Sequence, residues 1–448
     1  MRILRPDPHH PIRKRLWQAS IAIALVVLVA VIHDTVVRLS DRSNQLSLGE
    51  DFLPVYAAGT LVRQGRSAEL YAIEPIAQIE RRVVAEANLE PLPMYGPYLN
   101  PPFFAAAYVP FSMLPYRQAA AAWLGVNLLL LGACMVLLVQ LLPQGTGWKD
   151  WGLIPLLLVL PVPFWQAMCH QQNTFVSLAI LSGTVLLWRS AHAGSASAAV
   201  WAGVLTGVLF YKPQLACLVA AVLVLTLGWR ALAGVCVAGM SLLVFTCLTM
   251  PGTIAAWLHQ MPPTVRWIQT ALHYKWGRQV TPQSFWRLLI QGQAAGPTHT
   301  LVTLLSAITM LLIAAALVIA VFRFFRNRRG PAALDRLIAA TIAAIPLLMP
   351  YYMDYDLLLM AIPAVLLAAE WIRSENSPTR ADWITLWSWV ALFVAMYVSP
   401  GLAGRTRLNL AVPLIGLVAG GSLARCLVTR PVPERMMDDQ QPPLVAAA

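Results

Sequence analysis

Apolar runs recur along the chain, most of them set off from the next by a short turn that carries a basic or polar residue. A helix needs about 20 mostly apolar residues to cross a hydrocarbon core roughly 30 Å thick. Runs of that character stand at 17–37, 119–142, 151–168, 174–188, 198–210, 215–229, 231–250, 299–322, 332–350, 357–371, 383–398 and 408–427. They amount to about twelve spans. Composition agrees, because 58% of the 448 residues are hydrophobic and 12% are charged, where a soluble domain carries roughly 25% charged residues. A soluble enzyme is excluded, and the expected fold class is an all-α polytopic membrane protein.

The charges orient the chain. Lys and Arg number 32 against 20 Asp and Glu, a net +12. In a soluble protein that excess would suggest nucleic acid, but here the basic residues flank apolar runs and act as topology signals. Arg13, Lys14 and Arg15 precede the first run and no small-residue cleavage site follows it, which marks an uncleaved signal anchor with its basic end in the cytoplasm. An even number of spans then puts Lys149, Arg189, Arg230, the basic cluster at 323–329, Arg373 with Arg380, and Arg425 with Arg430 on the cytoplasmic side of the plasma membrane. Trp188, Trp229 and Trp371 each precede one of these cationic turns, where interfacial aromatics belong. Residues 1–430 are expected to form one transmembrane domain with a first outer loop at 39–118 and a second at 251–298. The Pro-, Gln- and Ala-rich tail at 431–448 is expected to be disordered and cytoplasmic.

Runs 198–210 and 215–229 are short for a bilayer. Either two short helices meet near Lys212 and leave a cavity lined by polar backbone, or the two runs are one broken helix. The second arrangement inverts everything downstream and puts the 323–329 cluster outside, so two helices are favoured. The 6 cysteines fall in or beside apolar runs without CxxC pairs and are expected to be small buried hydrophobes, neither disulfides nor zinc ligands. No internal repeat of the transporter kind is visible.

In this topology the polar features converge on the outer face: Asp51, the turns at 170–173, 211–214, 351–356 and 405–407, and the second loop. Asp51 is either the N-cap of a helix beginning at Phe52 or a partly desolvated carboxylate able to accept a proton from a hydroxyl. Lys212 either snorkels to the headgroups or holds a phosphate as a point charge at membrane depth. Asp354 and Asp356 are interfacial caps or site residues, and His170 and Asn173 are ordinary hydrogen-bonding residues or part of the site. Arg266, Lys275, Arg278 and Arg287, interleaved with Trp257, Trp267 and Trp276, suit an interfacial segment touching anionic headgroups. Nucleic acid does not fit a face outside the cytoplasm.

These residues resemble glycosyltransferase family 87, the polytopic membrane glycosyltransferases of GT-C type fold. The resemblance is carried by Asp51-Phe52, Tyr56-Ala57-Ala58-Gly59, Leu61, Gly65 and Leu70-Tyr71, and by Tyr98-Leu99-Asn100-Pro101-Pro102-Phe103 with the prolines at 110 and 115. It continues in His170-Gln171-Gln172-Asn173, in the small-residue segment from Ala202-Gly203 to Lys212-Pro213-Gln214, and in Pro350 to Asp356. His170 stands where the family has glycine, and Met349 where it has serine. The resemblance implies inverting transfer of a sugar, by default a hexose such as mannose, from a polyprenyl-phosphate donor to a lipid or glycan acceptor on the outer leaflet. Asp51 would be the general base. Lys212 and Gln214, with Arg278, Arg405 and Arg407, would meet the donor phosphate, and Tyr56, His170, Asn173, Asp354 and Asp356 the substrates. No metal or other cofactor is called for. The rival classes are a lipid-linked-saccharide flippase or transporter, and an envelope polysaccharide polymerase or ligase.

Overall fold

A computed structural model describes residues 51–87, 95–146, 153–271, 274–326, 330–373 and 378–427, together with Arg15, Gln18, Ala19, Ala22 and Val26. The tail at 431–448, and the anchor at 17–37 apart from those few positions, lie outside the described residues. The labelled helices are α1 (Phe52–Arg63), α2 (Ile73–Glu86), α3 (Tyr116–Val139), α4 (Thr174–His192), α5 (Ala196–Val208), α6 (Pro213–Leu227), α7 (Trp229–Thr249) and α8 (Thr253–Ala271). They continue with α9 (Pro282–Gln291), α10 (Thr300–Arg326), α11 (Pro331–Leu348), α12 (Ala361–Arg373), α13 (Arg380–Thr406) and α14 (Ala411–Leu427). Among the described residues the protein is all-α, and 7 of its helical segments are long and apolar enough to cross a membrane. They are α3, α4, α7, α10, α11, Asp354–Arg373 and Arg380–Ser399, and α5 with its 3-10 extension, α6 and α14 are shorter apolar helices.

Local chemistry explains where helices stop. Pro161 breaks the run expected at 151–168 into Leu153–Val159 and Val162–Cys169, because the residue before a proline is pushed out of the helical region. Pro213 takes the first position of α6, where its missing N–H costs nothing, and the chain turns at Lys212. The segment at 39–118 is a helical layer within its described part. α1 buries nine of its residues, and Phe52 sits in an aromatic cluster with Tyr56, Tyr108, Phe111 and Tyr116, stacked on Trp123 at 6.1 Å. Burying such a ring contributes about 1.5–3 kcal/mol, and it fixes the position of the residue just before it, Asp51.

α5 and α6 run in opposite directions. The indole N–H of Trp188, near the end of α4, donates to Thr226 near the end of α6 at 2.9 Å, so Lys212 and Thr226 lie at opposite ends of the bundle. α5 and α7 run side by side in the same direction, with Gly203 against Ala231 and Gly234, and Gly207 against Val235 and Ala238. A Cβ on Gly203 would stand 2.1 Å from the Ala231 carbonyl oxygen, and one on Gly234 would stand 2.0 Å from that of Val200. This is the small-residue packing by which helices associate where the solvent is as apolar as they are.

The bundle has two polar ends. At one, Arg189 makes a double contact with Asp335 at 2.6 and 2.8 Å and donates to the Leu141 carbonyl. Arg373 reaches the same Asp335 at 3.5 Å, Arg336 pairs with Glu370 at 2.7 Å, and Arg425 bridges Glu370 and Asp382. Arginines expected only to mark topology are thus also fastened to acids. At the other end gather Asp51, the turns at 170–174 and 211–214, and 350–356.

Gly203→Leu and Gly234→Leu are expected to lower the unfolding temperature of the detergent-purified protein, since overpacking costs roughly 1–3 kcal/mol or more. Gly239→Ala on α7, whose added carbon meets no atom within 4 Å, should leave it unchanged. Equal melting of all three variants would refute the close α5–α7 contact.

Candidate active site

Asp51 occupies the N-cap position of α1, yet its side chain makes no capping hydrogen bond. Its carboxylate instead accepts from the Gln172 amide at 2.5 Å, with the His170 ring nitrogen 4.0 Å from the same oxygen. Gln172 is held by a tight turn. Its backbone N–H donates to the Ala167 carbonyl, and the preceding Gln171 adopts φ 53°, a left-handed conformation costly for a residue with a Cβ. The Trp123 indole donates to the Gln171 carbonyl at 2.8 Å and the Gln171 amide to Ala120 at 3.3 Å, contacts that hold the strained turn. The exposed 41% of the Asp51 side chain opens onto a cavity. Enclosure by the surrounding protein raises its pKa above the ordinary carboxylate range, against the lowering effects of the Gln172 hydrogen bond and then of Arg278, Lys212 and Lys275.

The cavity holds about 730 Å³ and is lined by Asp51, Asn173, Lys212, Gln214 and Asp356 among others. The Lys212 ammonium contacts an Asp356 oxygen at 2.7 Å, and the Thr174 hydroxyl donates to that same oxygen at 2.9 Å. Side-chain exposures of 7% for Lys212 and 6% for Asp356 decide against snorkelling. The Tyr355 ring lies 5.7 Å from the ammonium, within reach of a cation–π attraction. Arg278 grips Asp354 with two nitrogens at 3.1 and 3.2 Å. Each aspartate is committed to a cation.

Two irregular segments close the walls. Tyr98, Leu99, Asn100 and Pro101 line the cavity, and this stretch is pinned by Asn100 donating to the Tyr211 carbonyl at 3.2 Å and by the Trp257 indole donating to Leu99 at 3.1 Å. The second segment, around Gln279, bonds to Pro350 at 2.7 Å and pairs with Met353. Asn409 donates to the Gln279 carbonyl at 3.0 Å.

Of the residues singled out from sequence, Asp51, Lys212, Gln214, Asn173 and Asp356 share the cavity, while Arg278 and Asp354 pair with each other. The others lie elsewhere. Tyr56 spends its hydroxyl on the Leu114 carbonyl at 2.8 Å, and His170 stands beside Asp51 without lining the cavity. Arg405 and Arg407 are exposed, with Arg407 beside Gly292. Sequence reasoning gave Gln172 no role beyond its place in the 170–173 turn and took Arg266 as an interfacial cation, and it passed over the α8 stripe of Met261, Pro262, Val265, Arg266 and Gln269, which also faces the cavity. The spacing of that stripe, i, i+1, i+4, i+5 and i+8, is a helical face that could have been read in the second loop.

No curated protein and no solved structure matches the chain. A family model, Glycosyltransferase family 87, matches residues 98–350, more than half of the chain, including Lys212 and Gln214. With its apolar helices, the chain is an integral membrane glycosyltransferase and belongs to glycosyltransferase family 87.

Proposed function

We propose that the enzyme moves a sugar, by default a hexose such as mannose, from a polyprenyl-phosphate donor to a lipid or glycan acceptor at the outer face of the plasma membrane, inverting the anomeric centre. The observation that carries this reading is the Asp51 carboxylate, free of capping duty, held by Gln172 and open to a cavity that also contains Lys212. Asp51 takes the proton of the acceptor hydroxyl as its oxygen forms a bond to the anomeric carbon. The bond from that carbon to the donor phosphate breaks, and the phosphate leaves with the electron pair. One displacement gives inversion. General base catalysis supplies about 10²–10⁴ in rate, so positioning and stabilisation of the departing phosphate must supply much of the rest. Lys212 has N–H donors to offer that phosphate beyond the one spent on Asp356.

The orientation rests on the arginines. Arg189, Arg336, Arg373 and Arg425 gather at the end of the bundle remote from Asp51, and an excess of Lys and Arg marks the cytoplasmic side. That favours cytoplasmic termini, about twelve spans and a GT-C type arrangement in a single transmembrane domain. A flippase predicts charged residues along a midplane path, whereas these charges gather at the two ends of the bundle.

Asp51→Asn is expected to abolish transfer of radiolabelled sugar from polyprenyl-phosphate sugar in proteoliposomes while leaving membrane insertion intact, and near wild-type turnover would remove Asp51 from the mechanism. The base works only when ionised. Because burial raises its pKa, the acid limb of kcat/KM should lie above the ordinary value of about 3.9. Gln172→Ala removes a hydrogen bond that favours the charged form, so the limb should move to still higher pH, and superimposable profiles would count against positioning by Gln172. Lys212→Ala leaves a buried carboxylate unpaired, at a cost of about 3–5 kcal/mol. The apolar pair Lys212→Met with Asp356→Leu should restore stability yet raise the donor KM. A wild-type donor KM in that double variant would make the ion pair purely structural.

A further inference from the structure

The cavity's charges do not suit a phosphate if Lys212 is its only cation. The charged side chains lining it are Asp51, Asp356, Lys212 and Arg266. Lys212 and Asp356 are within 2.7 Å of each other and almost fully buried, so the ammonium is neutralised where it stands. Pulling it away would cost several kcal/mol. It can lend N–H donors but little net field. Without Arg266 the lining would carry a single negative charge, that of Asp51, and would repel a phosphate.

Arg266 is differently placed. Its side chain is exposed and, among the described residues, takes part in no ion pair. It sits on the cavity-facing stripe of α8, one turn beyond Met261 and Pro262 and flanked by Val265, with Gln269 ahead. That stripe passes from apolar to cationic to amide, the same order as a lipid tail, a phosphate and a sugar. Gln214, Gln269 and Gln283 line the same cavity, and carboxamides can donate to and accept from sugar hydroxyls. A guanidinium presents a planar fork that matches two phosphate oxygens at once.

We propose that Arg266 on α8 supplies the unneutralised positive charge that binds the donor's phosphate, with Lys212 limited to hydrogen bonding. This rests on the polyprenyl-phosphate reading of the donor. An anionic membrane headgroup offers similar chemistry, and the test separates the two sources. Full-length protein in phosphatidylcholine nanodiscs is equilibrated with radiolabelled polyprenyl monophosphate or with polyprenol. Wild type should prefer the phosphate by at least tenfold. Arg266→Gln should lose about tenfold in phosphate binding with polyprenol binding unchanged, and Arg266→Lys should recover part of it. A phosphate preference undiminished in Arg266→Gln overturns the assignment while leaving the donor reading intact. No preference in wild type overturns both. If phosphatidylglycerol displaces the polyprenyl phosphate from wild type and abolishes the difference between variants, Arg266 serves bulk headgroups and the assignment falls. Unfolding temperatures of both variants, set beside that of wild type, separate lost binding from lost fold.

Discussion

The contact between Lys212, Asp356 and Thr174 ties together three parts of the chain that are remote in sequence: the junction of α5 and α6, the turn before α12 and the start of α4. A buried charge is tolerated only when paired and hydrogen-bonded. This one meets that demand by bringing a lysine 144 positions away, and the Thr174 hydroxyl, onto one aspartate oxygen. The cavity lies where these turns meet, and the pairing lets the two charges remain buried in its wall. Removing the lysine would leave the cavity wall with a buried carboxylate that has lost its cation.

Much of the scaffold was legible in the sequence because the bilayer imposes a one-dimensional rule. Length and hydropathy alone delimit α3, α7 and α10, and the break at Lys212 followed from a lysine and a proline between two short runs. Asp51 and Lys212 stood out because charges are scarce. Their partners were not legible. Nothing local in Asp51 identifies Gln172 as its donor, since the pairing depends on the left-handed Gln171 and on Trp123 from another helix. The second loop was read as a stretch of interfacial aromatics, and its folding into α8 and α9, with Gln279 clamped to the 350–353 segment, rests on contacts across the whole chain. Tyr56 drew attention through the family resemblance and the two arginines through their outer turn, yet Tyr56 bonds to Leu114, Arg407 lies by Gly292 and Arg405 is exposed.

The arginine-rich end shows the same principle with the opposite outcome. Arg189, Arg373 and Arg425 were legible as charges flanking apolar runs, but they, and Arg336 inside its run, are also paired with Asp335, Glu370 or Asp382. Those acids are themselves on the helices, so the charges that orient the chain also fasten its helix ends to one another. Surface pairs of this kind contribute little singly. As a half-buried network spanning α4, α11, α12, α13 and α14 they set the relative height of the helices, and so the depth at which the opposite ends open.

The paired prolines of α8 carry a consequence of their own. Pro262 and Pro263 withdraw two N–H donors in succession, so the carbonyls of Leu258 and His259 lack their usual helical partners. Such acceptors need a donor from water, a headgroup or a neighbouring side chain. α8 therefore owes part of its hold to partners outside its own helical ladder. The wall that carries Met261 to Gln269 is thus the one least fixed by its own backbone.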